Sequence, residues 1–132
     1  MTNVNYTHAL LIHHKKLDRW LQPGGHVEND TNILETALRE AKEETGINDF
    51  QIPLENIFDI DIHTIPAIKK EREHYHYDVR FLLVADEYSP ITISHESNDL
   101  KWFSLAEISA MNEGPSIQRM VDKTLAKYAG IK

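Results

Sequence analysis

The segment of residues 31–45 constrains the fold of this chain most, because its apolar residues recur every three or four positions. That period places them on one side of an α-helix, which must then pack against another element. Asp30 or Thr31 suits the N-cap, and Gly46 can end the helix in a left-handed conformation. The segment therefore predicts an amphipathic helix whose buried stripe consists of Leu34, Ala37, Leu38, Ala41 and Thr45.

Strand patterns lie on both sides of this helix. Apolar runs, alternation and β-branched or aromatic residues predict strands over 6–14, 58–62 and 77–85, and short strands over 91–94 and 101–103. This distribution of strands around a helix favours an α/β fold rather than an all-helical one.

Two further helices are predicted near the C-terminus. Ser104 and Glu107 have the spacing of a capping box, which predicts a short helix to about Ala110. Pro115 is suited to the first position of a last amphipathic helix. With the strands, these helices favour a mixed β-sheet between helical layers. The predicted inner face of the last helix consists of Ile117, Met120, Val121, Thr124, Leu125 and Tyr128.

Length and charge narrow the classes of function. The chain has 132 residues, so we expect a single domain over residues 1–132. A net charge of −7 disfavours a nucleic-acid polymer as partner. The apolar runs are shorter than the roughly 20 residues of a membrane span, so no membrane partner is expected. The lack of cysteine and of an export signal favours a cytoplasmic location.

Three carboxylates cluster near the end of the predicted central helix. Glu40 lies three and four residues before Glu43 and Glu44, so the three share one face. Like charges at this spacing destabilise a helix by roughly 0.2–0.5 kcal/mol per pair, and a bound cation would remove that cost. Mg²⁺ prefers such oxygen ligands and often joins one or two carboxylates to substrate phosphates. The alternative is a solvated acidic face beside Lys42.

The wider segment from Gly24 to Ile47 resembles the signature box of the Nudix hydrolase family. That box is a glycine, five residues, a glutamate, seven residues, and then Arg-Glu-aliphatic-x-Glu-Glu-x-Gly-aliphatic. One defined position departs from it, because Thr31 stands where the family has its first glutamate. The resemblance implies a Nudix-like α/β/α sandwich with a mixed β-sheet between helices. The matching positions are Gly25, Arg39, Glu40, Ala41, Glu43, Glu44, Gly46 and Ile47.

The same resemblance implies a metal site and its ligands. Glu40, Glu43 and Glu44 would hold Mg²⁺, for which Mn²⁺ could substitute, and the carbonyl oxygen of Gly25 could complete the coordination shell. Arg39 would belong to the catalytic set by orienting the glutamates. An ordinary salt bridge within the helix explains an arginine at this position equally well.

The activity implied by the resemblance is hydrolysis of a diphosphate linkage in a nucleoside diphosphate derivative or a nucleoside triphosphate. A metal-polarised water would attack phosphorus, with Glu43, Glu44 or Glu96 as the general base. A solvated loop carboxylate is an equal explanation for Glu96. The alternative function is a non-catalytic nucleotide-binding sensor of the same fold, which the change at Thr31 leaves open. Either function implies a small nucleotide-like partner, and both a monomer and a homodimer remain open.

A second group of polar residues alternates along one predicted strand. His74, His76 and Arg80 would share one face, with His63 across the sheet. They could form a substrate-binding wall, joined by His26 from the glycine turn. A zinc site and ordinary polar pairing on an exposed face are the two alternatives.

Overall fold

The computed structural model describes residues 1–15, 17–23, 33–53, 57–65 and 74–127. For residues 63–65, 74–78 and 127 it describes the backbone only. In the described part, no helix is long and apolar enough to span a membrane. The strands are β1 (His8–His14), β2 (Arg19–Leu21), β3 (Phe50–Gln51), β4 (Asp59–Ile65), β5 (His74–Arg80), β6 (Val84–Ala85) and β7 (Ser97–Ser104). The helices are α1 (Ile33–Thr45), α2 (Leu105–Met111) and α3 (Pro115–Lys127).

Strand β1 is the centre of the main sheet. It pairs antiparallel with β2 on one side and with β7 on the other. Strands β3 and β6 form a second antiparallel pair, and β4 and β5 form a third. A parallel bridge joins Thr2 to Val84, and an antiparallel bridge joins Thr2 to Ala9. The N-terminal residues therefore connect the end of β6 to the central strand.

The alternating side chains of β1 divide the core into two clusters. Leu10 and Ile12 pack on one side with Ile47, which follows α1 closely in the chain. Leu11 points to the other side and packs against residues of α2 and α3. Because successive side chains of a strand point to opposite faces, a single strand can hold both layers together. The predicted α/β sandwich is confirmed.

Helix α1 ends as the sequence predicts. Ala41 and Thr45 of the predicted stripe are fully buried, and the Thr45 hydroxyl donates to the Ala41 carbonyl oxygen at 2.7 Å. Gly46 has a φ of +74°, and its amide donates to the Lys42 carbonyl oxygen at 2.9 Å. The start of the helix near Asp30 and Thr31 lies outside the described residues.

The two C-terminal helices follow from local signals. Ser104 Oγ accepts a hydrogen bond from the Glu107 amide at 3.1 Å, and the Glu107 carboxylate accepts one from the Ser104 amide at 3.0 Å. These bonds satisfy two backbone donors at the start of α2, and they lower the pKa of Glu107. In α3, Ile117, Val121 and Thr124 are buried as predicted.

Three sequence-based assignments need correction. Residues 91–94 form no strand, because the Thr92 amide bonds the Thr45 carbonyl oxygen at 2.8 Å beside the end of α1. The predicted strand 77–85 is interrupted at 81–83, where the Leu83 carbonyl oxygen accepts from the Thr2 amide at 2.8 Å. Leu125 is 47% exposed, because it lies one step around the helix from buried Thr124. Tyr128 lies outside the described residues.

Replacing Gly46 with alanine is expected to lower the free energy of unfolding by roughly 2–5 kcal/mol. The left-handed backbone is costly for alanine, and the added Cβ would lie 2.8 Å from the Cβ of Thr92. Urea unfolding measures the effect. Gly46→Asn tolerates the backbone better but keeps the overlap, so it should fall between wild type and Gly46→Ala. The exposed control Asn48→Ala should change stability by less than about 0.5 kcal/mol, and an equal loss in that control would contradict the explanation.

Candidate active site

A cavity of about 820 Å³ brings together residues that lie far apart in the sequence. It is lined by the β1–β2 hairpin, one face of α1, the end of β5, residues 94–97 and parts of α2 and α3. Five of the predicted site residues contribute to this lining. They are Arg39, Glu40, Glu44, Arg80 and Glu96.

The carboxylates of α1 divide into two groups. Glu40 and Glu44 lie one helical turn apart, and both line the cavity. Glu43 is exposed and does not contribute to the lining. Arg39 Nη2 lies 3.7 Å from Glu40 Oε1, a long ion pair on an exposed part of the helix. Such pairs contribute little stability, so the pairing fits an orienting role without requiring one.

The donor set of α1 suits a hard divalent cation. Among the described residues, no three acidic or histidine side chains are grouped closely enough to hold a metal ion by themselves. Mg²⁺ nevertheless usually takes only one or two carboxylates from a protein, and phosphate and water oxygens complete its coordination shell. Glu40 and Glu44 fit that pattern. The predicted fourth ligand, Gly25, lies outside the described residues, as do His26 and Thr31.

Glu96 reaches the cavity from the segment that precedes β7. Its carbonyl oxygen accepts a hydrogen bond from the Lys15 amide at 3.3 Å. The Lys15 Nζ donates to the His95 carbonyl oxygen at 2.7 Å. These two bonds attach the segment to the residue that follows β1. Glu96 is exposed, so its carboxylate is open to water.

A buried ionic cluster forms the wall at β4 and β5. The Asp59 side chain has no exposed surface, and its carboxylate accepts hydrogen bonds from three cationic side chains. Arg119 donates twice at 2.8 Å, Lys123 donates at 2.6 Å and Arg80 at 3.1 Å. Asp61 lies 3.2 Å from Arg119 Nη2. Three cations and two carboxylates thus join β4, β5 and α3.

The cluster shifts the protonation of its members. Burial by itself raises the pKa of Asp59, but the hydrogen bonds from Arg119, Lys123 and Arg80 outweigh it. The net effect holds the pKa of Asp59 well below its ordinary value. The bond to Asp59 in turn raises the pKa of the Arg119 guanidinium. Asp59 and Arg119 therefore stay ionised across the neutral range.

Arg80 connects this cluster to the start of α3 and to Gln22. Its guanidinium is one-tenth exposed, and Nη2 lies 3.3 Å from Ser116 Oγ at the start of α3. With its amide oxygen turned toward the guanidinium, Gln22 accepts from Arg80 Nε at 3.2 Å. Gln22 precedes Pro23-Gly24-Gly25, the segment that the sequence predicts to be a turn. Arg80 therefore fixes the chain at Gln22, in addition to lining the cavity.

The histidines of the predicted substrate wall are placed by the backbone only. In the β4–β5 register His63 pairs with His76, and Ile65 pairs with His74. The register confirms that His63 lies across the sheet from the histidine-rich strand. The side chains of His63, His74 and His76 lie outside the described part of the chain, so their substrate-binding role stays a prediction.

Sequence reasoning missed four residues of this site: Asp59, Arg119, Lys123 and the cavity-lining His14. Asp59 stands in an alternating strand, where an acidic residue usually faces water. The available signal was the pair Arg119 and Lys123, one turn apart in α3 beside the predicted apolar face. Only the tertiary packing shows that these cations meet an acid 60 and 64 residues away.

Comparison with known proteins finds one consistent group. A model of the NUDIX domain matches residues 1–124. A probable DHNTP pyrophosphohydrolase of Lactococcus lactis subsp. cremoris is 38% identical over 78 residues, which are 58% of this chain and 46% of that protein. The asymmetrical bis(5'-nucleosyl)-tetraphosphatase of Mus musculus is 34% identical over 97 residues, or 73% of this chain and 59% of that protein. The chain thus spans about half the length of these two relatives.

Solved structures support the same architecture. A C. elegans Ap4A hydrolase binary complex superposes with a TM-score of 0.67 at 23% identity, covering 92% of this chain and 86% of that one. The E. coli dihydroneopterin triphosphate pyrophosphohydrolase superposes with a TM-score of 0.69 at 15% identity, covering 98% and 90%. At these identities the likeness concerns the fold.

Asp59→Asn is expected to lower the free energy of unfolding by roughly 3–5 kcal/mol, because it leaves three cations facing one carboxylate. Chemical denaturation of both proteins at neutral pH measures the loss. Asp61→Asn is the matched control from the same strand, and its partly exposed carboxylate should cost less. Equal, small losses in both variants would contradict a central role for Asp59.

Lowering the pH should remove the contribution of Asp59 to the free energy of unfolding. Since folding lowers the pKa of Asp59 below its ordinary 3.8, its stabilising effect is complete above that value and is lost as pH falls toward the folded pKa. The stability difference between wild type and Asp59→Asn should therefore stay constant from about pH 7 to about pH 5 and narrow as the pH falls below about 4. Urea titrations of both proteins across that range measure it. A difference that stays constant with pH would rule out Asp59 as the titrating group.

Proposed function

Because the chain belongs to the NUDIX family, we propose that it hydrolyses a diphosphate linkage in a small nucleotide-like substrate, with Mg²⁺ as its cofactor. The observation that carries the proposal is the shared cavity, whose lining includes Glu40 and Glu44 of α1 together with Glu96 from a distant part of the chain. Arg39 and Arg80 line the same space. Carboxylates for a metal and cations for phosphate are the two groups that such chemistry requires.

The metal would be held by Glu40 and Glu44, with Mn²⁺ as a substitute. Glu43 and Gly25 complete the ligand set that the family resemblance implies. When bound, a divalent cation neutralises the charge that develops on the phosphate oxygens. Arg39 lies close enough to Glu40 to hold its carboxylate in one orientation. Arg80, fixed by Asp59, presents a guanidinium whose orientation is set before a substrate arrives.

Hydrolysis also requires a base for the attacking water. The water oxygen bonds to phosphorus, the bridging P–O bond breaks, and the water proton passes to a carboxylate. Glu44 and Glu96 line the cavity and are the stronger candidates, whereas Glu43 does not contribute to the lining.

The substrate class follows from the relatives only in outline. One relative is named a probable DHNTP pyrophosphohydrolase, and another is named an asymmetrical bis(5'-nucleosyl)-tetraphosphatase. Both names describe the hydrolysis of a polyphosphate compound. They support a nucleotide-like diphosphate for this chain, without choosing among nucleoside triphosphates, dinucleoside polyphosphates and other derivatives.

Glu44→Gln is expected to lower kcat/KM by about 100-fold or more, because it removes a candidate base and metal ligand. The assay uses a panel of nucleoside triphosphates, nucleotide sugars and dinucleoside polyphosphates with Mg²⁺ or Mn²⁺. Glu40→Gln should raise the metal concentration for half-maximal activity. Glu35→Gln, from the exposed first turn of α1, is the control and should match wild type.

Two further variants assign roles within the site. Glu96→Gln should lower kcat without changing the metal requirement if Glu96 is the base, and Glu43→Gln should change the metal requirement if Glu43 is a ligand. Nucleotide binding without turnover of any panel compound would contradict hydrolysis and favour the sensor function. The single domain and the cytoplasmic location stay predictions from the sequence, and a homodimer stays one of the two open oligomeric states.

A further inference from the structure

His14 is the last residue of β1, and its side chain lines the cavity that contains Glu40, Glu44 and Glu96. The register of β1 against β7 shifts between His13 and His14. Such an irregularity changes the direction in which a side chain points, and it is frequent beside active sites. His14 is thereby placed on the cavity at the point where the β1–β2 hairpin begins.

The neighbouring His13 is held elsewhere. Its Nε2 lies 3.0 Å from Asp18, its Nδ1 lies 3.1 Å from the Asn98 amide nitrogen, and its ring meets Trp20 edge-on with centroids 5.1 Å apart. His13 does not line the cavity. The two adjacent histidines therefore differ in surroundings, and His13 is a built-in control for His14.

The hydrogen bond that His14 makes determines which ring nitrogen carries the proton. The backbone amide of Leu17 donates to His14 Nδ1 at 3.2 Å. A nitrogen that accepts a hydrogen bond cannot carry the proton itself, so the neutral ring is protonated on Nε2. Among the described residues, no acceptor is found for that Nε2 proton. The bond from Leu17 thus leaves Nε2–H as the donor of a residue that lines the cavity.

The cations of the cavity are already engaged with carboxylates. Arg39 lies beside Glu40, Arg80 bonds Asp59, and Arg19 Nε lies 3.4 Å from Glu113. A diphosphate carries several anionic oxygens, and each one removed from water needs a donor or a cation. His14 differs from the three arginines because its donor is not committed to an acid.

We propose that His14 binds a phosphate oxygen of the substrate through Nε2–H, as a substrate-binding residue on the hairpin side of the cavity. This inference rests on the proposed function for the chemistry of the ligand. It adds a substrate contact from β1, a strand that precedes the signature box in the sequence. The Leu17 amide acts through His14 by fixing its tautomer.

Two substitutions of His14 separate substrate binding from support of the hairpin. Asn places its amide near the position of Nδ1 and can keep the bond with Leu17, but it has no group at the position of Nε2. Gln reaches the position of Nε2 with an amide donor, but it has no acceptor at the position of Nδ1 and so loses the bond with Leu17. The variants are therefore His14→Asn and His14→Gln, with His13→Asn as the matched control.

His14→Asn is expected to raise KM for a hydrolysed panel compound roughly 10- to 100-fold, the effect of losing one hydrogen bond to a charged group. Its kcat should stay within about threefold of wild type, because the contact is present in both the bound and the transition state. His14→Gln and His13→Asn should keep a KM near that of wild type. Titration with ADP in the presence of Mg²⁺ should show the same order of affinities.

A KM that rises in His14→Gln and stays near wild type in His14→Asn would overturn the inference. If His14 only supports the hairpin, His14→Asn should behave like wild type and His14→Gln should lose stability in urea. Turnover by wild type with no effect of either variant also overturns it while leaving the proposed function standing. Binding of ADP that is weakened by His14→Asn, without turnover by wild type, keeps the inference and refutes hydrolysis. Neither turnover nor ADP binding by wild type refutes both.

Discussion

The buried carboxylate of Asp59 is the interaction on which the geometry of the cavity wall depends. Removing a carboxylate from water costs several kcal/mol, and nearby cations must offset that cost. In this protein the cations come from β5 and α3, so the acid is tolerated only when both elements are in place. Asp59 thus links the position of Arg80 to the docking of α3. The ion pair of Asp59 and Arg80 also restricts where Gln22 can lie, because Gln22 accepts a hydrogen bond from Arg80.

Strand β1 provides the second constraint, because it belongs to both halves of the core. Leu10 and Ile12 are buried on one face and Leu11 on the other, so β1 cannot move without disturbing both layers. Its last residue, His14, is consequently carried on a strand that is packed on both faces. Residues of the hairpin and of α1 line the same cavity, and the core cluster that contains Ile12 of the hairpin also contains Ile47, which follows α1.

The sequence predicted the parts of the fold that local chemistry decides. The end of α1 at Gly46 and the capping box of Ser104 and Glu107 depend on residues within a few positions of each other, and both are confirmed. The segment 91–94 has the composition of a strand, but the amide of Thr92 is taken by the end of α1. A bond between residues 47 positions apart leaves no local pattern.

The same distinction applies to the candidate site. The carboxylates of α1 were recognised because their spacing is local, whereas the placement of Glu96 on the same cavity depends on the pairing of β1 with β7. Asp59 was missed because an acid in an alternating strand usually faces solvent. Its burial follows from Arg119 and Lys123, which reach it only after α3 has packed. Residue type and spacing therefore identify the chemistry, and tertiary contacts decide which members of a pattern meet.

Under the proposed function, the charge of the cavity couples metal and substrate. Glu40, Glu44 and Glu96 repel a diphosphate, and the guanidinium groups of the lining already face carboxylates. A nucleotide alone therefore meets a net repulsive site, whereas a divalent cation between the α1 carboxylates reverses the sign of the local field. By linkage, the nucleotide must strengthen the binding of the metal to the protein by the same factor by which the metal strengthens the binding of the nucleotide. Two glutamates from the protein then suffice, because the phosphates supply the remaining ligands when they arrive.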